Sequence, residues 1–420
     1  MASFHFIHAA DIHLDSPLHG LVRYEGLPFE EVRNATRAAF DNLITFACDE
    51  AVDFMLIAGD LFDGDWKDMS TGLYFARAMG KLAAADIPVY LLAGNHDAAS
   101  DMRKKLPWPR NVQQFKTKPT THLIPHLHVA IHGQSFATAH VTDNLAVGYP
   151  GSIENHFNIG VLHTALSGHE GHATYAPCSV DDLRAKGYDY WALGHVHDHA
   201  VHAERPHVVF PGNLQGRHIR ETGPKGAVHV EVEDGVVTRL RHVPLDTLRW
   251  ARVDIDCSGA QTLDDVDTAI RQALARHHAS QSEGRPMVVR VVLSGRTPLA
   301  GALQERRGRH RDEVCALAAG VAPDLWIEKV QLDVSLPAAA PVKDGVAEDF
   351  MAMLAEAQGA PELAAALAED LAPFLTAARA AGDNDDDGSL AALADRGDWS
   401  ALLAIAGGAL GARLAGREAE

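Results

Sequence analysis

The sequence of 420 residues predicts an α/β protein, and three observations carry that reading. Between residue 4 and about 245, short apolar runs recur, among them FHFIHAAD, FMLIAGD, VYLLAGNHD, NIGVLHT, YWALGH and VVFPGN. Stretches with apolar residues three and four apart lie between them, at 29–50 and 69–85, and strand–helix–strand alternation is the α/β signature. The runs are also apolar throughout, which predicts strands covered on both faces. Functional groups in such sheets gather at the carboxyl ends of the strands, where this sequence places its polar clusters.

The later segments follow in order. From 246, RWARVDIDCSG, a helical 262–277, PMVVRVVLSG, a helical 302–319 and LWIEKVQLDV spell a small α/β domain to about 336, with few catalytic side chains. After SLPAAAPVKDG the composition turns to Ala and Leu, and 345–381 and 389–414 read as helices separated by GDNDDDG. Residues 1–245, 246–336 and 337–420 are thus the expected divisions. The last helices either pack on their own domain or form a hairpin offered to a partner. No internal repeat is present.

Composition narrows the functional classes. With 47% hydrophobic and 22% charged residues the chain is expected to be globular, and no apolar run approaches the roughly 20 residues of a membrane helix. The opening MASFHFIHAADIHLD lacks a basic n-region, so no secretory signal is expected. Four scattered cysteines with no CxxC pair fit reduced thiols in the cytoplasm. A formal charge of −19 argues against a chain coated with basic surface for nucleic acid, although 101–118 carries six basic residues against one acidic.

The strand-end clusters are DIHLD (Asp11, His13, Asp15), GDLFD (Asp60, Asp63), GNHD (Asn95, His96, Asp97), LHT (His163) and GHVH (His195, His197). Carboxylate, amide and imidazole donors without thiolate suit manganese, iron or zinc better than calcium. Their number exceeds what one ion takes, so two ions are expected. Gly59, Gly94 and Gly194 precede ligands and are expected to permit sharp backbone turns.

The succession D-x-H, GDxxD, GNHD, lone His and GHxH resembles the calcineurin-like metallophosphoesterases over residues 1–245. The variants HAADIHLDSPL, AGDLFD, LLAGNHD, VLHT, YAPCSVDDL, LGHVH and FPGNLQGRHIRE are similar to SbcD-type DNA-repair exonucleases, most closely the shorter YhaO-like bacterial branch. The resemblance implies a four-layer β-sandwich flanked by helices, a small capping domain over 246–336, and a partner-binding helical segment. It implies that Asp11, His13 and His197 hold one metal, that Asn95, His163 and His195 hold the other, and that Asp60 bridges both. It also implies that His96 is catalytic and oriented by Asp97. Asp15 and Asp63 are expected to hold ligand imidazoles or cap backbone amides.

The function so implied is a manganese-dependent DNA nuclease working by a two-metal mechanism in DNA repair, with an SMC-like (SbcC-type) ATPase and as a homodimer. A phosphodiesterase for small nucleotides and a non-catalytic subunit of an ATPase assembly are the alternatives. Arg217, His218 and Arg220 either contact nucleic acid or, for the arginines, pair with nearby acids. The loop 103–118, with Trp108 and Phe115, either tracks a nucleic-acid backbone or is an ordinary solvated basic loop.

Overall fold

In the computed structural model, the described residues are 3–16, 29–63, 69–98, 108–166, 175–305, 307–335, 361–380 and short stretches between 352 and 406. They form two compact units that divide between Trp250 and Ala251, a few residues beyond the expected start at 246. The backbone explains the difference: Trp250 Nε1 donates to Gly216 O at 3.0 Å and Gln215 Nε2 donates to Leu248 O at 2.7 Å, tying 248–250 to the first unit.

The first unit contains two six-stranded sheets. One has the order β12 (Val236–Pro244), β11 (Gly226–Glu233), β1 (Phe4–Ala9), β2 (Phe54–Ala58), β3 (Val89–Leu92), β4 (Val112–Gln114). The other runs β5 (Thr120–Ile124), β6 (Val129–Gly133), β7 (Phe157–His163), β8 (Tyr190–Gly194), β10 (His207–Phe210), β9 (Ala200–Glu204). β1 to β4 are mutually parallel, as are β6, β7, β8 and β10.

Side chains alternate across each strand, so a strand buried on both faces feeds two cores. Phe54, Leu56 and Ala58 of β2 join Tyr190 and Ala192 of β8 in one core between the sheets. Met55 and Ile57 instead face Phe40, Leu43, Phe75 and Met79 of α1 (Phe29–Asp49) and α2 (Ser70–Ala84). Trp191 and Leu193 of β8 pack on the far side with Leu183 of α4 (Val180–Arg184). The result is helix, sheet, sheet, helix: a four-layer sandwich. The short α3 (Asn95–Ala98) follows β3. Two aromatic residues of the basic loop pack inward, a correction to the base-stacking reading: Phe115 is buried, 2% exposed, and the partly buried Trp108 meets Phe75 edge-on at 5.4 Å. Arg103, Lys104 and Lys105 lie outside the described residues.

The second unit has a sheet of order β13 (Arg249–Asp256), β14 (Met287–Arg296), β15 (Leu325–Ser335). Val266, Ile270 and Leu274 of α5 (Leu263–Gln281), Leu303 of α6 (Ala300–Glu305) and Val314 and Ala318 of α7 (Arg307–Val321) complete its core. A further helix, α8, spans Pro361–Ala380. Among the described residues no helix is long and apolar enough to cross a membrane.

Candidate metal centre

The clusters lie at the carboxyl ends of β1, β2, β3, β7 and β8, as parallel pairing requires: Ala9 is level with Ile57, Ala58 with Leu92, and His163 with Gly194. Beyond these ends the backbone is forced into turns. Asp11, His13, Asp60 and His195 have φ of 49°, 45°, 49° and 105°. Non-glycine residues enter this left-handed region at a cost of about 1–3 kcal/mol each. Backbone hydrogen bonds hold the first two there: Asp11 N donates to Gly59 O and His13 N to Asp60 O, each at 3.0 Å.

The glycine expectation needs correcting in part. Gly59 does turn sharply, with φ of 97°, but Gly94 and Gly194 are absent from the positive-φ residues. Their role is space. A Cβ on Gly94 would collide with Asp60 Oδ1, and one on Gly194 with Ala58 O.

The seven expected ligands converge. Asp11 Oδ1 lies 3.7 Å from His197 Nε2, which faces His13 Nε2 at 3.3 Å. Asp60 Oδ2 lies 3.3 Å from His163 Nε2, which is 2.9 Å from Asn95 Oδ1. The His163 and His195 rings meet at 5.2 Å, and His195 N donates to Asp11 Oδ2 at 2.9 Å. Asp11, His13, Asp60, His163 and Asn95 are all buried. Three groups bring ligand atoms within 4.8 Å of one another: Asp11–His13–His197, Asp11–Asp60–His163 and His13–Asp60–His96.

These residues fit divalent cations. Asp11 Oδ1 is buried with no hydrogen-bond partner among the described residues, and an unsatisfied carboxylate oxygen is costly to bury. His163 Nδ1 must donate to Ala58 O at 3.0 Å, leaving Nε2 to face Asn95 and Asp60. Burial would depress His163, but the Asp60 carboxylate raises it to about 9. Burial raises Asp11 to about 6, with Asp60 adding to the rise, and burial lowers His13 to about 4. The rises at Asp11 and His163 both mark a buried place short of positive charge.

His96 differs from the rest. Its side chain is 42% exposed and its Nδ1 lies 2.6 Å from Asp63 Oδ1. That hydrogen bond raises it above the ordinary imidazole value and ties the ring to Asp63 at the rim of the cluster. Asp63 is therefore the carboxylate that orients His96, which corrects the role expected for Asp97. Asp97 instead accepts backbone N–H bonds from Leu61, Phe62 and Gly94 at 3.2, 3.0 and 3.2 Å, stapling the β2 loop to the β3 loop. It is 1% exposed. Asp15 is corrected as well: it pairs with Arg37 of α1 and accepts from Thr71 Oγ1 of α2 at 2.6 Å.

Glu221, which sequence reading missed, accepts from His197 Nδ1 at 2.7 Å while 4% exposed. Burial opposes its ionisation, but His197 and Arg217 hold its carboxyl well below the usual range. Arg217 turns inward to Glu221 at 3.0 Å and lies 3.7 Å from Asp63, so of its two expected roles it takes pairing with acids. His218 and Arg220 are exposed. The signal was present in the four-residue spacing of Arg217 and Glu221, which suits an ion pair of opposite charges.

This donor set, at the carboxyl ends of parallel strands in two mixed sheets, has relatives. The calcineurin-like phosphoesterase family matches residues 4–199. The chain belongs to that family and is a metal-dependent phosphoester hydrolase. It is similar to the uncharacterized metallophosphoesterase YhaO of Bacillus subtilis (strain 168), with 36% identity over 298 residues, 70% of this chain and 72% of that protein. Residues 250–335 match the middle domain of metallophosphoesterase YhaO. Two solved structures are also similar. TT1561 of Thermus thermophilus is 13% identical with a TM-score of 0.34, covering 58% of this chain and all (100%) of that one. A dimetal phosphatase from Danio rerio is 11% identical with a TM-score of 0.37, covering 55% and 93%.

Proposed function

We propose that this chain is an SbcD-type DNA nuclease, an exonuclease that hydrolyses phosphodiester bonds with two divalent ions, manganese in the cell. The observation that carries the reading is His96: an imidazole raised by Asp63, half-exposed at the rim of a buried set of oxygen and nitrogen donors. A site for metal storage would have no use for it.

Asp11, His13 and His197 would hold one ion, Asn95, His163 and His195 the other, with Asp60 shared. When bound, such ions activate the attacking water and neutralise the phosphate oxygens. The chain's own residues do the rest. His96 delivers its Nε2 proton to the leaving 3′ oxygen as the phosphorus–oxygen bond breaks, and Asp63 holds the ring in place and keeps it protonated. Asp60 Oδ1 accepts the His96 amide at 3.0 Å, so the proton donor is indexed to a ligand.

His218 and Arg220, exposed beside the centre, are the proposed phosphate contacts. The Ala/Leu segment 337–420, with helix Pro361–Ala380, is the proposed attachment for an SMC-like ATPase, and the chain is proposed to act as a homodimer in cytoplasmic DNA repair. A second reading, a phosphodiesterase for small nucleotides, is favoured by the inward turn of Arg217, which commits one cation near the site to Glu221.

The test is manganese-dependent digestion of end-labelled single- and double-stranded DNA, alongside bis-p-nitrophenyl phosphate. Cleavage of DNA by wild type and its loss in His96→Ala are expected. DNA left intact while the small diester is hydrolysed would assign the second reading.

A further inference from the structure

The buried Glu221 sits at the centre of an array of donors. Its Oε1 accepts from His197 Nδ1 at 2.7 Å and from Arg217 Nη2 at 3.0 Å. Its Oε2 accepts from Arg217 N at 2.7 Å and Asn213 Nδ2 at 3.0 Å. A carboxylate cannot donate, so His197 carries a proton on Nδ1, and Nε2 is the ring nitrogen directed at Asp11 Oδ1 and His13 Nε2. Arg217 Nη1 continues to Ser16 Oγ at 3.4 Å and Asp63 Oδ2 at 3.7 Å, and Ser16 Oγ itself donates to Asp63 at 2.6 Å. Asp63 is the partner of His96.

We propose that Glu221 is a positioning residue for the metal centre: it fixes His197 with Nε2 facing inward, and Arg217 ties it to Asp63, the carboxylate that orients His96. One guanidinium thereby links the support of a ligand to the support of the proton donor. The proposal rests on reading His197 as a ligand. A carboxylate behind a ligating imidazole sets its tautomer and orientation, and its loss weakens metal binding by about 10- to 100-fold.

Two measurements on the full chain test it. In metal-free wild type labelled with 15N-histidine, with His197 identified by comparison with His197→Gln, the Nδ1-protonated tautomer is expected. An Nε2-protonated ring would overturn the proposal, and this measurement stands even if a Glu221 variant misfolds. Mn2+ titrations then compare wild type, Glu221→Gln and His197→Gln by calorimetry. Glu221→Gln is expected to bind one ion normally and the other about 10- to 100-fold more weakly. Binding within twofold of wild type, while His197→Gln loses an ion, would overturn the positioning role and leave the ligand reading intact. Wild-type binding by His197→Gln would bring down both.

Discussion

Each unit of the molecule buries charged side chains against its sheet, and the two clusters are built in opposite ways. In the second unit, Arg290 of β14 meets Glu328 of β15 through Nε and Nη2 at 2.8 and 2.7 Å, so both carboxylate oxygens take a guanidinium hydrogen. In the first, Asp11 and Asp60 are as deeply buried but face imidazoles, and Asp11 Oδ1 has no hydrogen-bond partner among the described residues. A guanidinium fork closes a carboxylate completely. Imidazoles fixed from behind, His163 by Ala58 O and His197 by Glu221, turn their Nε2 atoms toward the acids instead. The first cluster is complete only with added positive charge; the second is complete already.

Replacing Asp60 should break this contrast most severely. Asp60→Ala is expected to lose bound metal and to reduce diester hydrolysis to background, as chelation of wild type should, with activity restored by Mn2+; metal content by mass spectrometry and bis-p-nitrophenyl phosphate turnover check both. His96→Ala should separate chemistry from metal binding, keeping its ions while turnover falls about 10²- to 10⁴-fold. On the other side of the comparison, Glu328→Gln leaves Arg290 buried without its counter-charge. It is expected to lower stability by about 3–5 kcal/mol in denaturant unfolding while leaving Mn2+ binding unchanged.

A smaller effect concerns His8, fully buried beneath the site. Both ring nitrogens are engaged, by Tyr190 OH and Leu193 O at 3.0 Å each, and burial lowers it from 6.5 to about 3. The unfolded chain takes up this proton below 6.5 and the folded chain only near 3, so stability should fall as pH drops between those values, by about 1.4 kcal/mol per unit. Urea midpoints from pH 7 to pH 4 should decline less steeply in His8→Gln than in wild type.

The strands and the convergence of the strand-end side chains were readable because both are local: an apolar run announces the strand, and the residue just past its end faces the cluster. The helices at 29–50 and 69–85 were readable for the same reason and appear as Phe29–Asp49 and Ser70–Ala84. What failed depends on turns. Once Asp60 adopts a left-handed φ of 49°, the next amides point at Asp97, and Asp63 swings toward His96; nothing in GDLFD or GNHD announces that exchange. The hairpin of β11 and β12 was overlooked although Asp234-Gly235, with φ of 51° and 78°, is the turn such hairpins favour. Glu221 lies 24 residues from His197, and only the fold brings them together.

The close approach of Gly194 to Ala58 has a mechanical consequence. It seats the ends of β2 and β8 together, so Asp11, His13, Asp60 and Asn95 arrive from one sheet and His163, His195 and His197 from the other. Ions held by both sets would act as removable cross-links between the halves of the sandwich, joining segments such as Ala58 and His163 that are 105 positions apart in sequence. Metal supply would then govern how often the two sheets part, and slow amide exchange along β2 and β8 would be its gauge.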